Sequence, residues 1–518
     1  MNARIRVRAL GAFGLLVVLL AGCSATVTPA PAQTPSPSSA PSATAGSPTV
    51  APSPSTEALT PTASAIPTPT APPVTPAPDA VWVPAGSLPP ETYTWGVTVV
   101  AVGRDGALLI GRDALSTARW DPATATWSPA EPMNAERHGF AAVTLPDGRA
   151  LVVGGVDERE VEHWRSYSSA YVYDPSSPQE TWTKTGLMRT ARTIPAAAVL
   201  HDGRVLVAGG AFIDGSPWQW EGARPSGIML AVAHPDGPGT GLRDVRRYDD
   251  MAPPSIGTAV ATAEVFDPAT GRWKPTGPMH FARAGAEAVT LADGRVLVVG
   301  PSSFETGEFR AQMDPRVFDT AEVYDPATGT FTLAGSLPPI DRAALAAEGV
   351  PVPTEDPWMT SVGALVALPD GGALLVGHRD SWKHQADVVR DFRFDAAAGR
   401  WTQVGPAWAG AGDWSGNDVV WRYTPGIDRS GASVGPLPDG RVLEAGGFEI
   451  DAQSGDQHAS ATARAWDPAT GQWSPLPPMP GARSGGAAAT LGDGSVMIVG
   501  GDWSESGGET AIRFVPGG

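Results

Sequence analysis

Cysteine occurs once in the 518 residues, at Cys23, so no intramolecular disulfide can form and the fold must rest on packing and hydrogen bonding. Lysine is nearly as scarce, standing only at Lys184, Lys274 and Lys383, and basic residues number 36 against 54 acids. A net charge of −18 lacks the clustered positive charge on which a general nucleic-acid footprint depends, which excludes nucleic acid as a partner. The histidines, His138, His163, His201, His234, His280, His378, His384 and His458, are dispersed with no pair at metal-ligand spacing. Asp413, Asn417 and Asp418 offer oxygens at a spacing that matches no calcium loop. Neither a metal nor another cofactor is expected, and no catalytic residue, nucleophile elbow or phosphate-cradling loop is assigned.

What the chain does have begins at its start. Arg4, Arg6 and Arg8 precede an apolar run from Ala12 to Leu20, which ends in Leu20-Ala21-Gly22-Cys23. A basic start, a short apolar stretch and small closing residues make a secretory signal over residues 1–22 rather than a spanning helix. The four closing residues resemble a bacterial lipobox, which implies that Cys23 is lipidated and becomes the new N terminus. Removing residues 1–22 takes away three arginines and no acid, shifting the net charge from −18 to −21.

Residues 23–80 are dominated by Pro, Ser, Thr and Ala, with Glu57 and Asp79 as the only charges. Such a composition buries too little apolar surface to offset the entropy of ordering, so a disordered tether is expected. At about 3.1 Å per residue its fully extended reach would exceed about 100 Å. The localisation implied is extracytoplasmic, at the cell envelope, with the membrane touched through the lipid anchor alone.

From residue 81 to 518 one short pattern recurs seven times, marked by Asp105-Gly106, Asp147-Gly148, Asp202-Gly203, Asp293-Gly294, Asp370-Gly371, Asp439-Gly440 and Asp493-Gly494. An Asp-Gly pair between apolar runs predicts a tight β-hairpin with a type I′ turn, both of whose central residues take positive φ. The run after the turn often ends in a glycine pair, as at Gly209-Gly210 and Gly446-Gly447. A second hairpin follows, turning on Asp-Pro and closed by glycine, as from Asp267-Pro268 to Gly271. Four strands per repeat result.

The glycine pair, an aromatic in the third strand and a Trp six residues after the Asp of the Asp-Pro turn stand together at Gly446-Gly447, Trp466, Asp467 and Trp473. This pattern resembles the kelch family, whose repeats fold as β-propeller blades. The seventh repeat stops after its third strand, Ala511 to Phe514, and its missing fourth strand is matched by Val81-Trp82-Val83-Pro84. The fold class implied is all-β: a seven-bladed kelch-type propeller closed by an N-terminal strand and preceded by a signal peptide and disordered linker. Closure of this kind removes the open sheet edge.

Alternating strand direction within a blade would send strand-two-to-three and blade-to-blade connections to one face. All the long insertions are of these kinds: about 211–260, 301–320, 379–390, 338–359 and 402–428. Long loops on a rigid scaffold concentrate binding groups, so this face is the candidate surface. Trp382, Trp408, Trp414 and Trp421 fall among its connections and offer flat rings for stacking on a glycan or anchoring a protein.

Ten residues before the turn Asp stand Arg137, Arg192, Arg283, Arg429 and Arg483, with Trp95 and Thr360 in the two remaining repeats. Resemblance to kelch proteins whose Arg-Ser-Gly segments contact acidic peptides implies that these arginines ring the channel mouth and capture carboxylates.

Galactose oxidase carries a similar propeller with a copper ion held by Tyr and His, and a Tyr cross-linked to Cys. No cysteine follows Cys23, so that chemistry is not expected. A sialidase-like hydrolase would need Asp-boxes, and the repeated Asp-Pro-Ala-Thr-Gly does not supply them. The leading expectation is a membrane-tethered binding module, monomeric, that recognises a glycan or protein through the long-loop face. A carbohydrate-active enzyme on the same face is the alternative.

Overall fold

Each hairpin is set by its turn. In the second repeat the Gly148 amide donates to the Leu145 carbonyl at 2.9 Å and the Leu145 amide to the Arg149 carbonyl at 2.7 Å. Gly148 takes φ of 84°, but Asp147 does not share the positive φ that a type I′ turn requires. The loop is instead a type I turn closed by a left-handed glycine. Asp147 Oδ1 accepts the Arg149 amide at 3.1 Å, an Asx contact compatible with an ordinary right-handed backbone.

A computed structural model describes residues 80–90, 92, 97–111, 114–133, 135–157, 165–177, 182–213, 229–232, 256–300, 316–350, 352–355, 357, 359–382, 386–413, 420–423, 431–450, 457–501 and 510–517. The leader 1–22, Cys23 and the tether up to residue 79 lie outside the described residues.

Seven antiparallel blades follow one another. Blade one is Thr98–Val102, Gly106–Ile110, Thr117–Asp121 and Thr126–Pro129, and blade two His138–Thr144, Ala150–Asp157, Ser169–Tyr173 and Trp182–Leu187. Blade three is Ala196–Val199, Val205–Ala208, Ala263–Asp267 and Arg272–Pro275, and blade four Glu287–Thr290, Val296–Val299, Thr320–Asp325 and Thr330–Ser336. Blade five is built on Ala364–Ala367, Ala373–Trp382, Ala386–Asp395 and Arg400–Asp413, and blade six on Ala432–Pro436, Val442–Gly446, Ala463–Asp467 and Gln472–Leu476. Blade seven takes Ala487–Thr490, Val496–Val499 and Thr510–Val515 from the end of the chain and Val81–Ser87 from upstream of blade one, with Trp82 opposite Phe514. The innermost strands touch in sequence around a closed ring, the seventh meeting the first.

Stability comes from apolar layers between neighbouring blades. Leu206 and Ala208 of blade three meet Val296, Val298 and Tyr324 of blade four, while Met497 and Val499 of blade seven meet Ala107, Leu109 and Trp120 of blade one. In every blade an aromatic pair also spans the third and fourth strands. The pairs are Trp120 with Trp127, Tyr173 with Trp182, Phe266 with Trp273, Tyr324 with Phe331, Phe394 with Trp401, Trp466 with Trp473 and Phe514 with Trp82. Such cross-strand pairs fix register as well as adding contact area.

Because direction alternates within each blade, the strand-two-to-three and blade-to-blade links leave from one face. The segment 379–390, read from the sequence as a loop, is strand: Ala373–Trp382 and Ala386–Asp395 run on as a hairpin, and Arg400–Asp413 pairs alongside. Val420–Tyr423 adds an outer strand opposite Gly410–Asp413. The result is an arm that prolongs blade five on the long-loop face. A helix, Arg342–Ala347, capped by Asp341, contributes Leu345 to a cluster with Val350, Val352, Trp382, Val388 and Ala409 on one side of that arm.

Candidate functional site

The arginine ring is where sequence and structure part. Arg137, Arg192 and Arg283 are 0% exposed and Arg483 is 6% exposed. Each guanidinium points back into its own blade and donates to the carbonyl seventeen residues on: Arg137 to Gly154 at 2.8 Å, Arg192 to Gly209 at 2.7 Å, Arg283 to Gly300 at 2.5 Å and Arg483 to Gly500 at 2.9 Å. The same group reaches the start of the third strand, bonding the carbonyl and hydroxyl of Ser169, Thr262, Thr320 or Thr510.

Meanwhile the arginine carbonyl accepts an amide from the preceding blade, Gly155 to Arg192 at 2.8 Å and Gly210 to Arg283 at 2.7 Å. Two of these guanidiniums are also ion-paired with buried acids, Arg192 with Glu264 at 3.2 Å and Arg283 with Glu322 at 3.1 Å. Burial pulls the guanidiniums of Arg192 and Arg283 below their ordinary value, and the paired acids oppose that pull. These four side chains staple strands and blades together, a correction to the expected solvent-facing carboxylate trap. Arg429 lies outside the described residues.

Blade five, with Thr360 in the arginine register, solves the same problem differently. Arg390, on its third strand, bonds Asp380 at 2.9 Å and the Pro338 carbonyl at 2.6 Å, while the Thr360 hydroxyl donates to Asp380 at 2.9 Å.

The tryptophans divide. Trp382 is buried, with its ring nitrogen donating to the Glu355 carbonyl at 2.8 Å, and Trp408 is buried opposite Val389. Both pack the arm rather than presenting a ring to solvent, which corrects their assignment as ligand contacts. Trp421 lies on the outer strand of the arm, and Trp414 is outside the described residues. On the arm's other side a part-exposed cluster joins Arg379 to Asp387 at 2.8 Å and Ser381 to the same carboxylate.

Gly431-Ala432-Ser433-Val434-Gly435 has the spacing of a nucleophile elbow, but it lies in and beside the innermost strand Ala432–Pro436, and Ser433 is buried with its hydroxyl donating to the Gly486 carbonyl at 2.9 Å. It is a strand residue, not a nucleophile on a strand-to-helix turn. The residues present do not fit a copper–radical centre either. The lone cysteine precedes the propeller, and among the described residues no three His, Cys, Asp or Glu side chains converge to hold a metal.

One group the sequence reading passed over lies on the propeller axis. A cavity of about 540 Å³ is lined by the innermost strands of blades four, five and six, with Val289, Leu365, Ala367, Val434 and Pro436 in its wall. Glu287 opens onto this space and is the only carboxylate on the innermost strands among the described residues. Its side chain is exposed to the lumen, so protein packed around the opening, and not burial of the group itself, pushes its carboxyl up to about 7. A signal was available: the position four residues after each ring arginine is Ala141, Ala196, Ala487 or Ser433, and only in blade four is it an acid.

No family model matches the chain. It is similar to Kelch-like protein terF of Aspergillus terreus, at 26% identity over 240 residues, covering 42% of this chain and 49% of the relative; the chain therefore matches about half the length of that curated relative. Among solved structures it is similar to a fungal alcohol oxidase of the AA5 family in complex with copper, with a TM-score of 0.49 and 16% identity over 84% of this chain and 76% of that one. Similarity to YjhT has a TM-score of 0.36 and 14% identity, covering 82% and 94% of the two chains. The repeats and the strand pairing of seven closed blades make this chain a seven-bladed β-propeller, similar in sequence to that kelch-like protein over about half of its length.

Proposed function

We propose that this propeller is an extracytoplasmic binding module, held to the membrane by lipidated Cys23, that recognises a glycan or protein through its long-loop face. The observation that carries the reading is the arm of blade five, where strands continue past the blade body and hold an added outer strand, Val420–Tyr423, on the face to which the long connections lead. Extra residues ordered as sheet on one face of an otherwise regular ring add recognition surface without enlarging the scaffold. With Trp382 and Trp408 in the packing, Trp414 and Trp421 are the aromatic contacts this reading retains.

A glycan array and a pull-down from envelope extracts, run with native protein and with Trp414→Ala and Trp421→Ala, test it. Loss of about tenfold or more in binding, with thermal stability unchanged, is the expected outcome in at least one variant. Full retention in both would remove that surface. For the anchor, Cys23→Ser should release the protein from the membrane fraction, and a variant that stays membrane-bound would refute lipid tethering.

A further inference from the structure

The pocket between the innermost strands, whose Glu287 end opens toward the long-loop face, has a chemistry of its own. Its wall is aliphatic: Val289 from blade four, Val362, Ala364, Leu365 and Val366 from blade five, and Val434 with Pro436 from blade six. Glu287 stands at its edge with no hydrogen bond or ion pair to any described residue. Nor do its described surroundings supply a counter-charge. The strands packed about it, Ala196–Val199, Val296–Val299, Ala364–Ala367 and Ala432–Pro436, carry no titratable side chain, and the nearby Arg283 is buried against Glu322. Glu287 is exposed and keeps its water, but no described donor or cation neutralises it, and the apolar wall beside it strengthens any ion pair it makes.

We propose that this cavity binds a small organic cation, a primary or secondary amine on an apolar body, with its ammonium on Glu287 and its hydrocarbon against the valine and leucine wall. The volume lies in the range of small-molecule sites. A sugar fits poorly, because its hydroxyls would meet an aliphatic wall and lose hydrogen bonds to water. One carboxylate is too few ligands for a divalent cation. Among the described residues no aromatic side chain lines the wall, which disfavours a quaternary ammonium, held by ring faces, and favours an N–H donor, which forms a charge-assisted bond.

Calorimetric titration of the full mature chain with cyclohexylammonium, and with cyclohexanol as its neutral counterpart, tests the proposal at a pH of about 8, where an alkylamine is still protonated. The ammonium should bind about tenfold or more tightly than the alcohol, and Glu287→Gln should erase that preference. A second readout does not depend on any variant: at pH about 7 binding should release protons, seen as a dependence of the heat on buffer ionisation, and that release should vanish about two units higher. Equal affinity for the two probes, an unchanged preference in Glu287→Gln, or binding with no proton release near pH 7 would each overturn it.

Discussion

A ring arginine illustrates how a residue type chosen for one role is used in another. Guanidinium is planar with five donors, and here those donors are spent on backbone carbonyls of strands two and three. Where an acid joins, as in Arg192 with Glu264, both charges are buried. Replacing Arg192 or Arg283 with Met removes the buried guanidinium from Glu264 or Glu322, leaving Glu264 with the Arg189 and Thr190 amides and Glu322 with the His280 and Phe281 amides and the His280 ring, and a loss of about 3 kcal/mol in denaturant-unfolding stability is expected. Among the described residues Arg137 has carbonyl, hydroxyl and ring partners but no acid, so Arg137→Met should cost less, about 1–3 kcal/mol. Equal losses in the three variants would contradict the ion-pair account. Glu287 makes the opposite case. Its carboxyl is pushed up to about 7 from an ordinary 4.5 by the protein around the opening, so between those values the native state holds more proton than the unfolded one. Stability from this group is full below 4.5 and declines as pH rises toward 7. A series of melting temperatures across that window should fall less steeply in Glu287→Gln than in the native chain, and parallel curves would disprove the assignment.

At the scale of strand and turn, glycine separates two demands that look alike in sequence. Gly209 has φ of 65°, and a Cβ there would run into the Arg283 carbonyl of the next blade. Gly271, closing an Asp-Pro turn, has φ of 67° with nothing within 4 Å of the Cβ position. Gly271→Ala should therefore cost only the left-handed backbone, about 1–2 kcal/mol, while Gly209→Ala should cost clearly more by disturbing the junction of blades three and four. Chemical denaturation of the two variants side by side measures the difference, and a Gly209→Ala loss no larger than that of Gly271→Ala would refute the close approach.

Strands and turns were legible because their causes are local: Asp-Gly pairs set the first hairpins, Asp-Pro sets most of the second ones, and the aromatic after the turn Asp, six residues on in most blades and eight in blade two, sets the register. The staples were not legible, because an arginine's destination depends on a carbonyl seventeen residues away and a hydroxyl further on, which no short window contains. Trp382 and Trp408 misled for a related reason. Extended strands carried their positions out of the presumed loops, and the helix at Arg342–Ala347, with its following residues, covered Trp382. Glu287 could have been found by aligning the repeats on their turns, where one acid interrupts a column of small residues.

For the whole molecule the decisive contact joins residues more than four hundred positions apart. Val81–Ser87 supplies the outer strand of blade seven, Trp82 packs on Phe514 with ring centroids 5.0 Å apart, and its indole nitrogen donates to the Pro477 carbonyl of blade six at 2.7 Å. Ala85 and Leu88 then enter the layer shared by blades seven and one. Without this segment, Thr510–Val515 would present unpaired amides and carbonyls along its length, a template for pairing with another chain. Excising residues 81–87 is thus expected to lower the melting temperature and to produce concentration-dependent association in size-exclusion chromatography. The two effects should appear together, since one segment both completes the sheet and covers its edge. A variant that melts like the native chain and stays monodisperse would mean that the packed layers between blades close the ring by themselves, and that the borrowed strand is not what secures it.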